Sequence, residues 1–293
     1  MDAFFLGCPL WSHKDWVGEF YARDAKPAEY LQQYASVFNT VEGNTTFYAL
    51  PRAETVLKWR DETPDSFRFC FKFPQKISHT LRLQNAKLET DAFFERLAPL
   101  GEKLGPFFLQ MPPTFGGEEF FALVAYINSL PESFKYALEV RHQDYYGGGH
   151  WEKALNDLLA ERAIDQVIFD TRGLHYYKAK ADEYHIHDAQ RRKPKVIVRV
   201  KALGKHPFVR FIGHPLIEKN EKAFIQWAKT LAGWLADGKK PYFFMHAADD
   251  FYAPRLARYF HRVVSEVLQN VEPMPVWPSE REPEHSTTQL SLF

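Results

Sequence analysis

A chain of 293 residues with 37 Lys and Arg against 37 Asp and Glu carries a formal net charge of +0. That balance excludes an overall polyanion binder, so any contact with nucleic acid has to come from a local patch or through a partner. Only Cys8 and Cys70 occur, without Cys-x-x-Cys spacing, which excludes a disulfide framework and predicts a reduced environment.

The opening residues, Met1 to Leu6, hold no basic leader and no apolar run long enough for export, and no membrane-spanning run follows. A cytoplasmic protein with no membrane partner is expected. Short apolar runs then alternate with segments of helical period. Phe4 to Cys8 reads as a strand and Pro27 to Phe38 as a helix; Thr40 to Asn44 is a strand and Arg52 to Arg60 a helix. Phe67 to Phe73 is a strand, and Asp91 to Leu104 a helix capped by Thr90 or Asp91. Phe107 to Met111 is a strand closed by Pro112 and Pro113, followed by a helix over Glu118 to Leu130. Tyr136 to Arg141 and Gln166 to Asp170 are strands on either side of a helix over Trp151 to Arg162. A long irregular segment runs to Lys195. Phe208 to Ile212 and Tyr242 to His246 are strands, with helices over Glu221 to Ala236 and Pro254 to Leu268.

Eight strands alternating with helices predict an α/β fold with a parallel sheet closed as a (β/α)8 TIM-type barrel. An open doubly wound sheet is the alternative, but no Gly-rich phosphate loop follows an early strand. One barrel domain over residues 1–270 is expected. A flexible Pro-rich tether over 271–288 and a five-residue linear motif at 289–293 follow it.

Polar residues fall where strand interiors should be apolar. In Phe67 to Phe73 every second residue is Phe, which turns Arg68, Cys70 and Lys72 to the other face. The same alternation pairs Glu42 with Asn44 and Glu139 with Arg141. It puts Gln110, Asp170, Arg210 and His246 near the ends of their strands. Burying charge costs several kcal/mol per ion unless it is paired, so this convergence predicts a site at the C-terminal mouth. Glu42, Lys72, Glu139 and Asp170 are the expected catalytic set; Asn44, His79, Gln110, Arg141, Arg210, His214 and His246 are expected to bind substrate. The three carboxylates with His79, His214 or His246 also have the ligand types of a divalent metal site, although pairing with Lys and Arg competes for them. His185 to Asp188, in the irregular segment, and the basic run Arg191 to Lys195 read as solvated surface. The aromatic loop Trp11, Trp16, Phe20 and Tyr21 reads as packing or as a stacking surface.

These segments resemble the YecE-like family, catalogued as domain of unknown function 72. The resemblance is carried by Val41-Glu42-Gly43-Asn44 through Phe47-Tyr48, His79, Leu109 to Pro113, Glu139 to His142, Asp170, Val209 to Pro215 and Asp249-Asp250. It implies a TIM-type barrel and no settled reaction. Gly7-Cys8-Pro9-Leu10-Trp11 departs from the family's usual Gly-Thr/Ser-x-Gly-Trp. The last five residues, Gln289-Leu290-Ser291-Leu292-Phe293, resemble the bacterial sliding-clamp-binding motif. That likeness implies a clamp partner, with Gln289 anchoring the pocket edge and Leu290, Leu292 and Phe293 filling its apolar part. Three functions follow as expectations: a clamp-recruited enzyme hydrolysing nucleic acid, a small-molecule enzyme on a sugar or sugar phosphate, and a non-catalytic clamp-binding adaptor.

Overall fold

Residues that alternate Phe with polar side chains form short parallel strands, and the segments of helical period pack over one face of them. A computed structural model describes residues 4–193, 195, 197–269 and 271–281. The expected linear motif, with Gln289, Leu290, Leu292 and Phe293, lies outside them. The strands are β1 (Phe5–Gly7), β2 (Thr40–Gly43), β3 (Arg68–Phe71), β4 (Phe107–Gln110), β5 (Tyr136–Glu139), β6 (Asp165–Gln166), β7 (Ile168–Asp170), β8 (Phe208–Ile212) and β9 (Tyr242–His246). The helices are α1 (Tyr30–Ala35), α2 (Ala53–Asp61), α3 (Lys87–Leu97), α4 (Phe120–Ser129), α5 (His150–Glu161), α6 (Arg172–Tyr176), α7 (Tyr184–Arg192), α8 (Glu221–Ala236) and α9 (Ala253–Val267).

Every strand pairing is parallel, in the orders β1-β9-β8-β7, β2-β3 and β4-β5-β6. This is an α/β fold of parallel sheets and helices. Between the sheets, the Glu42 amide donates to the Cys8 carbonyl at 3.1 Å, and Lys72 and Phe108 form a parallel bridge. Only Val167 separates β6 from β7. Gly7 sits at the tightest of these crossings: a Cβ there would lie 2.0 Å from the Thr40 carbonyl oxygen. Gly7→Ala is therefore expected to destabilise the protein by about 1–3 kcal/mol through overpacking. Urea unfolding checks this, and an unchanged midpoint would contradict it.

Several expectations change. The third helix starts at Lys87, so Thr90 lies inside it and bonds back to the Ala86 carbonyl instead of capping it. The segment taken as irregular contains α6 and α7, and His185 to Asp188 lie on α7. Ile186 and Ala189, three residues apart, are buried there. The tether expected from residue 271 is bound up to 281. Trp277 is buried against Phe20 and lies 3.5 Å under the Arg258 guanidinium, which pairs with Glu280. Ser279 bonds the Glu19 and Phe20 carbonyls, and Arg281 reaches Ser36. No helix among the described residues is long and apolar enough to cross a membrane.

The two faces of the strands bury different chemistry. Phe67, Phe69, Phe71 and Phe73 join the large core under the helices, with Trp59 of α2 stacked on Phe69 and Phe71. On the opposite face Cys70, Phe108, Ala137, Val167, Phe208, Tyr242 and Phe244 form a second apolar cluster. That cluster is the floor of the site.

Candidate functional site

A strand returns to the same face every second residue, so the next position beyond the floor is fixed on each strand. Beyond Thr40, Cys70, Phe108, Ala137, Val167, Phe208 and Phe244 stand Glu42, Lys72, Gln110, Glu139, Phe169, Arg210 and His246. An apolar layer is thus capped, at the C-terminal edge of the strands, by a polar one. Glu42, Glu139, Lys72, Gln110, Arg210 and His246 are all buried.

Arg210 is the centre of this layer. It donates from Nε and Nη2 to the two oxygens of Glu42 at 2.8 Å each, and from Nη1 to Glu139 Oε2 at 2.6 Å. Glu42 Oε1 also accepts from Asn44 Nδ2 at 2.8 Å, and Oε2 lies 3.1 Å from His246 Nε2. Glu139 Oε1 accepts from Gln110 Nε2 at 2.8 Å and Arg141 Nε at 2.7 Å. Lys72 Nζ donates to Gln110 Oε1 at 2.7 Å and sits 3.7 Å above the Phe47 ring. Phe169 places its ring under both Arg210 and Arg141. Every carboxylate oxygen of the pair is satisfied, which is what permits charge at this depth.

The proton states follow. Burial pushes Glu42 up, but Arg210 and His246 outweigh it and hold the carboxyl well below its usual range. Glu139 is opposed by burial in the same way and is brought down to about 2 by Arg210, Arg141 and Lys72. Both are carboxylates throughout the neutral range. Burial keeps His246 below its ordinary value despite Glu42. Its Nε2 therefore carries the proton, because an ionised carboxylate only accepts. Lys72 is brought down to about 7, first by burial and then by Arg210 and Arg141. Burial, Lys72 and Arg141 lower His79 to about 4, so its ring is neutral at pH 7.

A cleft of about 430 Å³ opens over this layer, lined by Leu10, Trp11, Asn44, Tyr48, Lys193, Arg210, His246 and Asp250 among others. Tyr48 is 80% exposed. Lys193, at the end of α7, is lowered by burial and by Arg210.

Eight of the eleven expected site residues meet here: Glu42, Asn44, Lys72, Gln110, Glu139, Arg141, Arg210 and His246. His79 stands at the edge, packed edge-on against Phe47 at 5.1 Å. Asp170 does not join them. Since Val167 and Phe169 face the site, Asp170 points to the helices, where it takes three bonds from Arg172, one of them from its backbone amide, and one from Trp227 of α8. His214 lines a separate cleft of about 240 Å³ with Tyr177, His185 and Asp249, and its Nδ1 accepts from the Leu216 amide. Among the described residues no three His, Cys, Asp or Glu side chains gather as a metal site. The expected carboxylate donors are instead taken by Arg210 and, for Asp170, by Arg172.

Sequence reasoning missed Lys193, Tyr48 and Asp250 as cleft residues. Lys193 was hidden in a basic run, whose Arg191 and Arg192 do turn to Asp188 on the surface. The spacing of Ile186 and Ala189 was the available signal that a packed helix delivers it. Of the aromatic loop, Trp16, Phe20 and Tyr21 are buried packing and Trp11 lines the cleft.

The family described as "Protein of unknown function DUF72" matches residues 5–282. The chain belongs to the DUF72 family. It is 40% identical over 276 residues to UPF0759 protein YecE of Escherichia coli O157:H7, covering 94% of this chain and 98% of that one. UPF0759 protein YunF of Bacillus subtilis is 29% identical over 170 residues, covering 56% of this chain and 59% of that one. Among solved structures, a DUF72 family protein of Enterococcus faecalis superposes with a TM-score of 0.66 at 20% identity, over 93% of this chain and 98% of that one. Another DUF72 family protein, of Thermotoga maritima, gives 0.64 at 22% identity, over 89% and 99%. These likenesses establish the family and the fold. The family match extends through the bound segment at 271–281, so that segment is part of the family's domain.

Proposed function

We propose that the parallel sheets run on into one closed (β/α)8 barrel, and that its mouth is the active site of an enzyme acting on a small anionic molecule of sugar phosphate size. The observation that carries the reading is the cleft itself. Arg210 and Lys193 face a space of about 430 Å³ beside the rings of Trp11 and Tyr48. That volume suits one small ligand, with cations for its charged group and rings for its body.

Roles within the site follow from the proton states. Glu42 and Glu139 position Arg210. As permanently ionised partners of a guanidinium they are poor candidates for activating water, which favours this reading over hydrolysis by the carboxylates. Lys72, brought to about 7, is the group able to exchange a proton near neutral pH.

The test is thermal stabilisation by a panel of sugar phosphates, free sugars and oligonucleotides. Sugar phosphates are expected to raise the melting temperature of the protein and to lose most of that effect in Lys193→Gln. Stabilisation by oligonucleotides alone would overturn the reading.

A second reading rests on the terminal pentapeptide Gln289 to Phe293, whose match to the sliding-clamp motif is complete. In it the tail recruits the protein to the clamp, where the mouth acts on nucleic acid. Binding to the organism's own clamp at micromolar or tighter affinity, lost without residues 286–293, is the expected result. No binding would remove its main support.

A further inference from the structure

We infer that Lys72 is a bond-forming amine, whose Nζ condenses with the carbonyl group of an aldehyde or ketone sugar phosphate. The inference rests on the reading of the mouth as a site for small anions and names what happens there.

The placement of the amine is the first argument. Lys72 stands just past β3 in the polar layer, and 8% of its surface remains exposed. Beside it are Phe47 and His79, themselves only half-buried. Phe47 belongs to the turn whose flanking residues Thr45 and Tyr48 line the cleft.

Its partners are the second. A lysine kept only to balance charge would pair directly with Glu139. Here the Gln110 amide stands between them, accepting from Nζ at 2.7 Å and donating to Glu139 at 2.8 Å. Among the described residues no carboxylate oxygen forms a salt bridge with Lys72; its remaining close contact is the face of Phe47. A neutral acceptor and a ring hold the ammonium in place without locking its proton on.

The electrostatic setting is the third. Burial, and after it the guanidinium groups of Arg210 and Arg141 in the same layer, brings the amine to about 7. A large share of the amine is then unprotonated at neutral pH, as nucleophilic attack requires. Lys193, which lines the cleft, is the cation for the phosphate of a substrate, and the neutral ring of His79 packs against Phe47 beside the amine.

The step balances without any redox partner. The neutral amine adds to the carbonyl carbon, and one proton passes from the nitrogen to the carbonyl oxygen to give a carbinolamine. That oxygen then leaves as water and the nitrogen gives up its proton, forming a carbon–nitrogen double bond. One amine and one carbonyl yield one imine and one water.

Borohydride delivers hydride to the imine carbon and fixes it as a secondary amine, which makes the test direct. The full chain is incubated with dihydroxyacetone phosphate or glyceraldehyde 3-phosphate, with and without borohydride, and mapped by peptide mass spectrometry. The expected result is an adduct concentrated on the Lys72 peptide, dependent on borohydride and absent in Lys72→Met and Lys72→Arg. Lys72→Arg keeps the cation but cannot form an imine, so it separates loss of chemistry from loss of folding. Adducts spread over surface lysines with Lys72 unmodified would overturn the inference. Thermal stabilisation by the same sugar phosphates with no Lys72 adduct would overturn it while leaving the anion site standing. Neither stabilisation nor adduct would overturn both.

Discussion

Replacing Arg210 by Met is expected to lower stability at pH 7 by about 3–5 kcal/mol, the usual result of stranding a buried charge. The variant leaves two buried carboxylates, Glu42 and Glu139, facing each other without the guanidinium that bonds both. The pH dependence should also change sign. In the parent, Glu139 titrates at about 2 against an ordinary glutamate value of about 4.3. Its contribution is therefore complete above about pH 5 and is lost as pH falls toward 2. Without Arg210, burial, the largest influence on each carboxyl, is opposed only by Arg141 and Lys72 at Glu139 and by His246 at Glu42, which lets both rise above the unfolded value. The variant should then gain stability as pH falls from 7 to 5, while the parent stays level or loses. Urea unfolding across that range reads both slopes. If Arg210→Met does not fold at pH 7, adding Glu42→Gln and Glu139→Gln should restore folding. A loss below about 1 kcal/mol, with parallel slopes, would mean the network is not held together by Arg210.

Lys72→Met should act in the opposite direction. The parent holds an amine brought from its ordinary range down to about 7, chiefly by burial. Between that value and about 10.4 the unfolded chain binds more protons than the folded one, so the parent's stability rises with pH over this window. Below it the full penalty of a buried ammonium applies. Met removes the penalty and strands only the Gln110 carbonyl oxygen. The expected gain at pH 6 is about 1–3 kcal/mol, shrinking toward zero by pH 10. Melting temperatures at the two pH values measure it. A variant that is more stable and yet unable to form the sugar phosphate adduct is the signature of a residue kept for chemistry. A variant destabilised equally at both pH values would assign Lys72 a structural role instead.

The sequence disclosed the phase of most strands because their alternation is strict. Phe67 to Phe73 leaves one reading of which side chains share a face, and Lys72 falls where that reading puts it. Glu42, Glu139 and Arg210 followed for the same reason. Asp170 failed because Gln166 to Asp170 has no such alternation. Val167, Ile168 and Phe169 are all apolar, so either phase fits, and an acidic residue at a strand end was taken for a site residue. Lys193 failed because a charged run reads alike whether it ends in solvent or is carried inward by a packed helix. The segment after 271 failed because Pro-rich composition describes an isolated chain. Trp277 is held by a ring and a guanidinium more than ten residues away, which no local rule reports.

The pairing of β1 with β9 bears on synthesis. Phe5 and Leu6 find their partners at Tyr242 and Phe243, and the segment at 277–281 then closes over the loop that follows β1. β1 thus waits for β9, which is translated more than 230 residues after it, before its backbone groups are paired on that side. A ribosome-bound chain stopped before residue 242 should carry an unpaired, strongly apolar strand edge, a surface suited to chaperones and prone to aggregation. Pairing of the β1 edge is therefore expected only after β9 has emerged.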